Sequence, residues 1–150
     1  MKIKKLENGE RLPMELLLLA DPSEELVKGY TCKGMSYVAQ QDGETVGVYV
    51  LMPTGAGTVE LMNIAVPEHL HGRGIGKALV LDAIRTAKSL GYTRIEVGTG
   101  NSSIGQLALY QKCGFRIERI DRDFFIKNYK EEIFENGIRC MDMVRLSQRL

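Results

Sequence analysis

The run Glu60-Leu61-Met62-Asn63-Ile64-Ala65-Val66-Pro67-Glu68-His69-Leu70-His71-Gly72-Arg73-Gly74-Ile75-Gly76-Lys77-Ala78-Leu79 decides how this chain is read. An apolar strand ending at Val66 feeds a glycine-rich turn. The turn opens an amphipathic helix whose apolar positions 75, 79, 83, 84, 87 and 90 keep the helical period up to the terminator Gly91. Glycines at 72, 74 and 76 let the backbone bend tightly and aim successive N–H groups at one point, where the helix dipole adds its positive end. Such a turn suits an anion, and a phosphate-bearing ligand is its natural occupant.

Spacing separates this turn from two other phosphate-binding turns. A P-loop needs Gly at 71 and Ser or Thr at 78, where the chain has His71 and Ala78. The dinucleotide pattern GxGxxG, started at Gly72 and Gly74, needs Gly at 77, which is Lys77. What remains resembles motif A of the GNAT family of N-acetyltransferases, Gln/Arg-x-x-Gly-x-Gly/Ala, with His71, Gly74 and Gly76 at its three fixed positions. A second block, Leu109-Tyr110-Gln111-Lys112-Cys113-Gly114-Phe115, is similar to the LYxKxGF segment of that family, and the resemblance spans roughly residues 35 to 146.

Composition sets the frame. With 150 residues and 44% hydrophobic content, one compact domain over residues 1–150 is expected. A net charge of +1 with scattered Lys and Arg gives no field that favours nucleic acid or an anionic membrane. The longest apolar run, Met14 to Ala20, is interrupted by Glu15 and too short to span a bilayer, so a cytoplasmic location is expected. Cys32, Cys113 and Cys140 are odd in number and lack CxxC spacing, which points to reduced thiols and, for Cys113, a packing role. His69 and His71 have no evident third ligand, and no metal is expected.

Outward from the decisive run, the pattern predicts a strand over Ile3 to Leu6 and helices over Pro13 to Ala20 and Ser23 to Tyr30, with Ser23 as N-cap and Leu16 to Leu19 in the core. Met35 to Gln40 and Thr45 to Met52 flank a hairpin turn at Gln41-Asp42-Gly43-Glu44, and Thr58 to Val66 follows as a third strand. Arg94 to Gly98, Phe115 to Ile120 and Ile138 to Leu146 read as further strands, with a helix over Ile104 to Cys113. This order is that of an α/β fold with a mixed central sheet and flanking helices.

The resemblance implies the same fold, with acetyl-CoA as co-substrate in a V-shaped gap between the strand ending at Val66 and the strand at Arg94 to Gly98. It places the pantetheine arm on the backbone of Ile64, Ala65 and Val66, with the Ile64 N–H polarising the thioester carbonyl. The pyrophosphate falls on the N–H groups of His71, Gly72, Arg73, Gly74, Ile75, Gly76 and Lys77. Tyr110 matches the tyrosine of the family near the CoA sulfur, where a phenol can protonate the leaving thiolate. Where the family carries Asn, seven residues before this Tyr, the chain has Ser103, with Asn101 two residues earlier; either could contact the cofactor. Glu60 stands where the histone-acetylating branch has its base, and its even offset from Ile64 puts both side chains on one sheet face.

The long connection from Asp121 to Gly137 interleaves aromatics and acids. Asp123, Phe125 and Tyr129 are the candidates to cradle a cationic amine there. The expected acceptor is a primary amine on a small molecule, taken by direct attack in a ternary complex. The alternatives are a protein Lys or N-terminal acceptor, or a CoA-binding sensor without turnover. Exposed strands and the aromatic loop allow a homodimer, although no segment marks an interface.

Overall fold

The computed structural model describes all 150 residues. Strand β1 (Lys2–Lys5) precedes helices α1 (Met14–Ala20) and α2 (Glu24–Lys33), the latter capped by the Ser23 hydroxyl, which accepts from the Leu26 N–H at 3.2 Å. Strands β2 (Met35–Gln41) and β3 (Glu44–Gly55) turn on Asp42 and Gly43, both at positive φ, as the hairpin signal requires. Then come β4 (Thr58–Ala65), a 3₁₀ turn (Glu68–Leu70), α3 (Ile75–Ser89), β5 (Arg94–Gly100), α4 (Ile104–Lys112) and β6 (Arg116–Asp121). The chain closes with α5 (Phe124–Asn128), β7 (Ile133–Glu135), β8 (Ile138–Cys140) and β9 (Met143–Arg149).

Seven strands form one sheet in the order β1-β2-β3-β4-β5-β9-β6, and β7-β8 is a separate hairpin. Only β4 and β5 run parallel, joined through α3, and all other neighbours are antiparallel. One face carries a core cluster of 19 buried residues under α3 and α4, among them Leu51, Leu61, Leu79, Ile95 and Leu146. The opposite face packs a smaller cluster of 8 under α1 and α2, including Leu17, Val27, Val48 and Val50. No helix is long and apolar enough to cross a membrane.

Three departures from the sequence pattern have local causes. The single strand expected over Ile138 to Leu146 is broken at Met141 and Asp142, whose backbone N–H groups are both taken by the Asn101 Oδ1 at 2.8 and 3.0 Å. Strand β3 continues through Pro53 because β2 ends opposite Leu51, so the missing proline N–H has no β2 partner to serve. Of the leucines expected in the core, Leu16 and Leu17 are buried, whereas Leu19 is 63% exposed on the outer side of a one-sided helix.

Candidate active site

The parallel register of β4 and β5 runs from Thr58↔Arg94 to Leu61↔Val97 and stops. Both strands continue, β4 to Ala65 and β5 to Gly100, so they part and leave a wedge between them. At the same point β4 carries a bulge: Leu51 of β3 faces Leu61, but Val50 faces Asn63, which leaves Met62 as an extra residue. The bulge reverses the alternation of side chains. Val59 and Leu61 lie in the α3-side core and so does Ile64, at the opposite parity. Asn63 points to the other face, donating to the Leu17 carbonyl at 3.0 Å and the Tyr30 hydroxyl at 2.8 Å, and Ala65 joins the cluster there. The expectation that Glu60 and Ile64 share a face is therefore corrected, because it assumed an unbroken strand.

Backbone direction divides the three residues expected to meet the pantetheine arm. Adjacent residues of a strand present N–H and C=O to opposite edges. The Ala65 carbonyl lies 3.5 Å from where a Cβ on Gly47 of β3 would stand, so it turns toward β3. Ile64 and Val66 then face the wedge, and the Val66 carbonyl is already paired with His71 Nε2 at 2.8 Å. The Ile64 N–H is left as the strand donor on that side.

Beyond Val66 the chain makes the 3₁₀ turn, in which the His71 N–H donates to the Glu68 carbonyl at 3.2 Å. His71 is thus a cap of this turn through both its amide and its ring, and its N–H leaves the set expected to bind phosphate. From Gly72 to Lys77 no backbone N–H has an acceptor within the protein; the first helical bond of α3 is Ala78 N–H to the Gly74 carbonyl at 3.1 Å. Gly72 and Gly74 hold positive φ of 80° and 81°, which directs these six amides into one concave turn. Backbone donors and a helix N-terminus thus make the turn suited to an anion, and Arg73 and Lys77 stand on it.

Tyr110 sits on α4 within the core, 4% exposed, with its ring edge-on to Phe115 at a centroid distance of 5.9 Å. Its hydroxyl has no hydrogen-bond partner within the chain, and burial pushes the phenol well above its ordinary pKa, the nearby Cys113 adding to the shift. Such a phenol stays protonated and is a standing donor.

Glu60 is committed to Arg145 of β9, which donates to its two carboxylate oxygens at 2.8 and 3.2 Å while Glu96 lies 4.0 Å from the same guanidinium. To take a proton, Glu60 must give up one of these bonds. Arg145 itself is held above its usual pKa by Glu60 and Glu96, against the opposing effect of burial. Asn101 acts as a brace: its side chain fixes the Met141 and Asp142 amides and donates to the Arg139 carbonyl at 3.1 Å. Ser103 precedes α4 and donates to Glu135 of β7 at 2.7 Å.

On the α1/α2 face lies a network that sequence reasoning missed. Asp21, between α1 and α2, accepts from the Tyr129 hydroxyl at 2.8 Å, the Tyr30 hydroxyl at 3.0 Å and the Ser23 N–H at 3.1 Å. Tyr30 in turn accepts from Asn63, whose Oδ1 is buried without a partner. Phe125 lies 5.4 Å from the Tyr129 ring and within 3.6 Å of a Cβ built on Gly100, so α5 rests on the end of β5. Asp123 holds a positive φ of 63° and donates its N–H to the Asp142 carboxylate at 2.9 Å. Asp21 stands in a Pro-containing turn with no periodic partner, so no pattern along the chain marks it. A cavity of about 660 Å³ lies between the N-terminal segment and α1 around Leu6, Arg11, Leu12 and Leu16, and reaches this region only at Pro67 and Glu68.

A strand that parts from its parallel neighbour and runs into a turn of free amides is the arrangement that the resemblance to the GNAT family implies, and the family itself is shown by comparison with known proteins. The pattern of the Acetyltransferase (GNAT) family matches residues 7–115. The chain belongs to this family. A Bacillus subtilis relative, the uncharacterized N-acetyltransferase YvbK, is 58% identical over 149 residues, which is 97% of this chain and 96% of the relative. Among solved structures, an IAA acetyltransferase from Bacillus cereus is 57% identical with a TM-score of 0.96, covering 99% of both chains. A GNAT family acetyltransferase from Elizabethkingia anophelis with acetyl-CoA bound is 48% identical with a TM-score of 0.97, covering 99% of this chain and 97% of that one. The protein is a GNAT N-acetyltransferase, and the bound acetyl-CoA of the Elizabethkingia protein supports acetyl-CoA as its co-substrate.

Proposed function

We propose that this GNAT enzyme acetylates a primary amine of a small molecule by direct attack in a ternary complex. The observation that supports the reading is the Tyr129–Asp21 bond, which ties the end of α5 to the turn between α1 and α2; in this reading the tie narrows the mouth through which the acceptor enters. A narrow mouth fits a small acceptor better than an extended peptide, and Asp21 has no cation of its own within the chain.

In this reading the amine lone pair attacks the thioester carbon while the Ile64 N–H supports charge on the carbonyl oxygen. The C–S bond then breaks, and the thiolate takes the Tyr110 hydroxyl proton. The proton lost by the amine passes, directly or through water, to Glu60, which exchanges one bond to Arg145 for it. The phenolate is reprotonated from solvent before the next turnover. Asp123 and Phe125 line the acceptor side, and Ser103 reaches the cofactor once its bond to Glu135 opens.

Free CoA release measured across a panel of small amines, lysine peptides and peptides with free N-termini tests this. Release with one or more small amines and none with peptides is the expected result. Turnover confined to peptides would replace the small-molecule reading. Acetyl-CoA binding without release for any amine would return the chain to the binding-only reading.

A further inference from the structure

Strand β6 forms one edge of the sheet, and all six of its residues are exposed. Its pairing with β9 contains a second bulge: Ile117 faces Leu146 while Arg119 faces Arg145, so Glu118 is extra. Three residues apart on an unbroken strand, Ile117 and Ile120 would point to opposite faces. With the bulge they point to the same one, opposite Leu146 and Val144, both of which belong to the α3/α4-side core. They are 52% and 54% exposed. The other face of the strand carries only charge: Arg116, Glu118, Arg119 and Asp121.

This edge is complementary to itself. Laid antiparallel against a second copy about a two-fold axis, Arg-Ile-Glu-Arg-Ile-Asp sets Arg116 opposite Asp121, Ile117 opposite Ile120 and Glu118 opposite Arg119, and each pair recurs by symmetry. The two bulges oppose each other, so neither strand is out of step. Four isoleucines then gather on one face and four opposite-charge pairs on the other. Arg116 and Asp121 form no ion pair within their own chain, whereas Glu118 is held by Arg94 at 2.6 Å. From this pattern we infer that β6 pairs with β6 of a second copy, extending the sheet across a homodimer.

A lone bulged and charged edge is also how monomers avoid association, and charge reversal distinguishes the two. Sedimentation equilibrium from low to high micromolar protein is expected to show a monomer–dimer equilibrium. Arg116→Asp alone or Asp121→Arg alone puts like charges opposite each other twice and is expected to weaken the dimer by about 10-fold or more. The double variant Arg116→Asp/Asp121→Arg is expected to restore it. Both positions are exposed and touch none of the acetyl-CoA site, so unchanged acetyl-CoA binding verifies that each variant is folded. A monomer at every concentration, a dimer indifferent to the single reversals, or a double variant as weak as the singles would overturn the pairing.

Discussion

The two sides of the wedge are built on opposite plans. On the cofactor side, residues 72 to 77 offer backbone donors without acceptors, fixed by glycine dihedrals and indifferent to most side chains. On the acceptor side, Asp21, Tyr30, Tyr129 and Asn63 are side chains that already satisfy one another, apart from the Asn63 oxygen. The first side holds its donors ready before any ligand arrives. The second must exchange bonds with whatever it admits, and its chemistry can drift without harm to the first.

That contrast is most exposed to test at Gly74. A side chain there is strained at a φ of 81°, and an acidic one also repels the pyrophosphate, so Gly74→Asp is expected to abolish acetyl-CoA binding by calorimetry. Gly76 is helical, and a Cβ on it meets only the Leu109 side chain at an ordinary 3.7 Å. Gly76→Ala should therefore keep most of the affinity. Equal tolerance at both positions would mean that the turn does not bind through its backbone.

Removing the Tyr110 hydroxyl leaves the free amides of residues 72 to 77 intact and, in the proposed mechanism, takes away only the proton donor. Tyr110→Phe is expected to lower kcat by about 10²-fold or more at nearly constant acetyl-CoA affinity, as general-acid help is usually worth that much. Because burial raises the pKa of this phenol, it stays protonated through the alkaline range in which an ordinary tyrosine ionises near 10. The wild-type rate should thus show no alkaline fall traceable to Tyr110. Full activity in the variant would reduce Tyr110 to packing.

A smaller effect is expected at Glu60. If its carboxylate takes the amine proton, Glu60→Gln lowers kcat by about 10-fold or more at neutral pH, and the deficit shrinks as pH approaches the pKa of the amine. Arg145→Gln separates this from a purely structural ion pair, since it keeps the carboxylate while removing its partner. Matching losses in the two variants, with no dependence on pH, would assign Glu60 to architecture. The smallest change belongs to Tyr129→Phe, which cuts the link to Asp21: a few-fold rise in acceptor KM with unchanged acetyl-CoA affinity is expected, of the order of one hydrogen bond. A shift in acetyl-CoA affinity instead would show that the two sides are coupled.

What the sequence made legible follows the same division. Periodicity and glycine spacing read out β4, the turn and α3 because backbone conformation there is dictated locally, residue by residue. The roles of Asn101, His71 and Asp21 were not legible, since each depends on partners brought by the fold: Met141 and Asp142 for Asn101, Tyr129 for Asp21. His71 is instructive because its partners are near, at Val66 and Glu68, yet motif position suggested a phosphate contact. The face of Glu60 was misread for a single reason, an extra residue in β4 that no periodicity announces.

That extra residue constrains how the gene can change. If β4 kept all its residues but lost the bulge, strict alternation would carry the amide of Asn63 into the α3-side core and turn Ile64 toward Tyr30, inverting everything downstream, whereas loss of Met62 alone would leave both faces as they are. Substitutions at position 62 leave the count intact and need only tolerate a half-buried site. A further residue inserted in β4 should therefore be purged in this lineage far more strictly than a replacement of Met62, so that the register of the strand is inherited even where its letters are not.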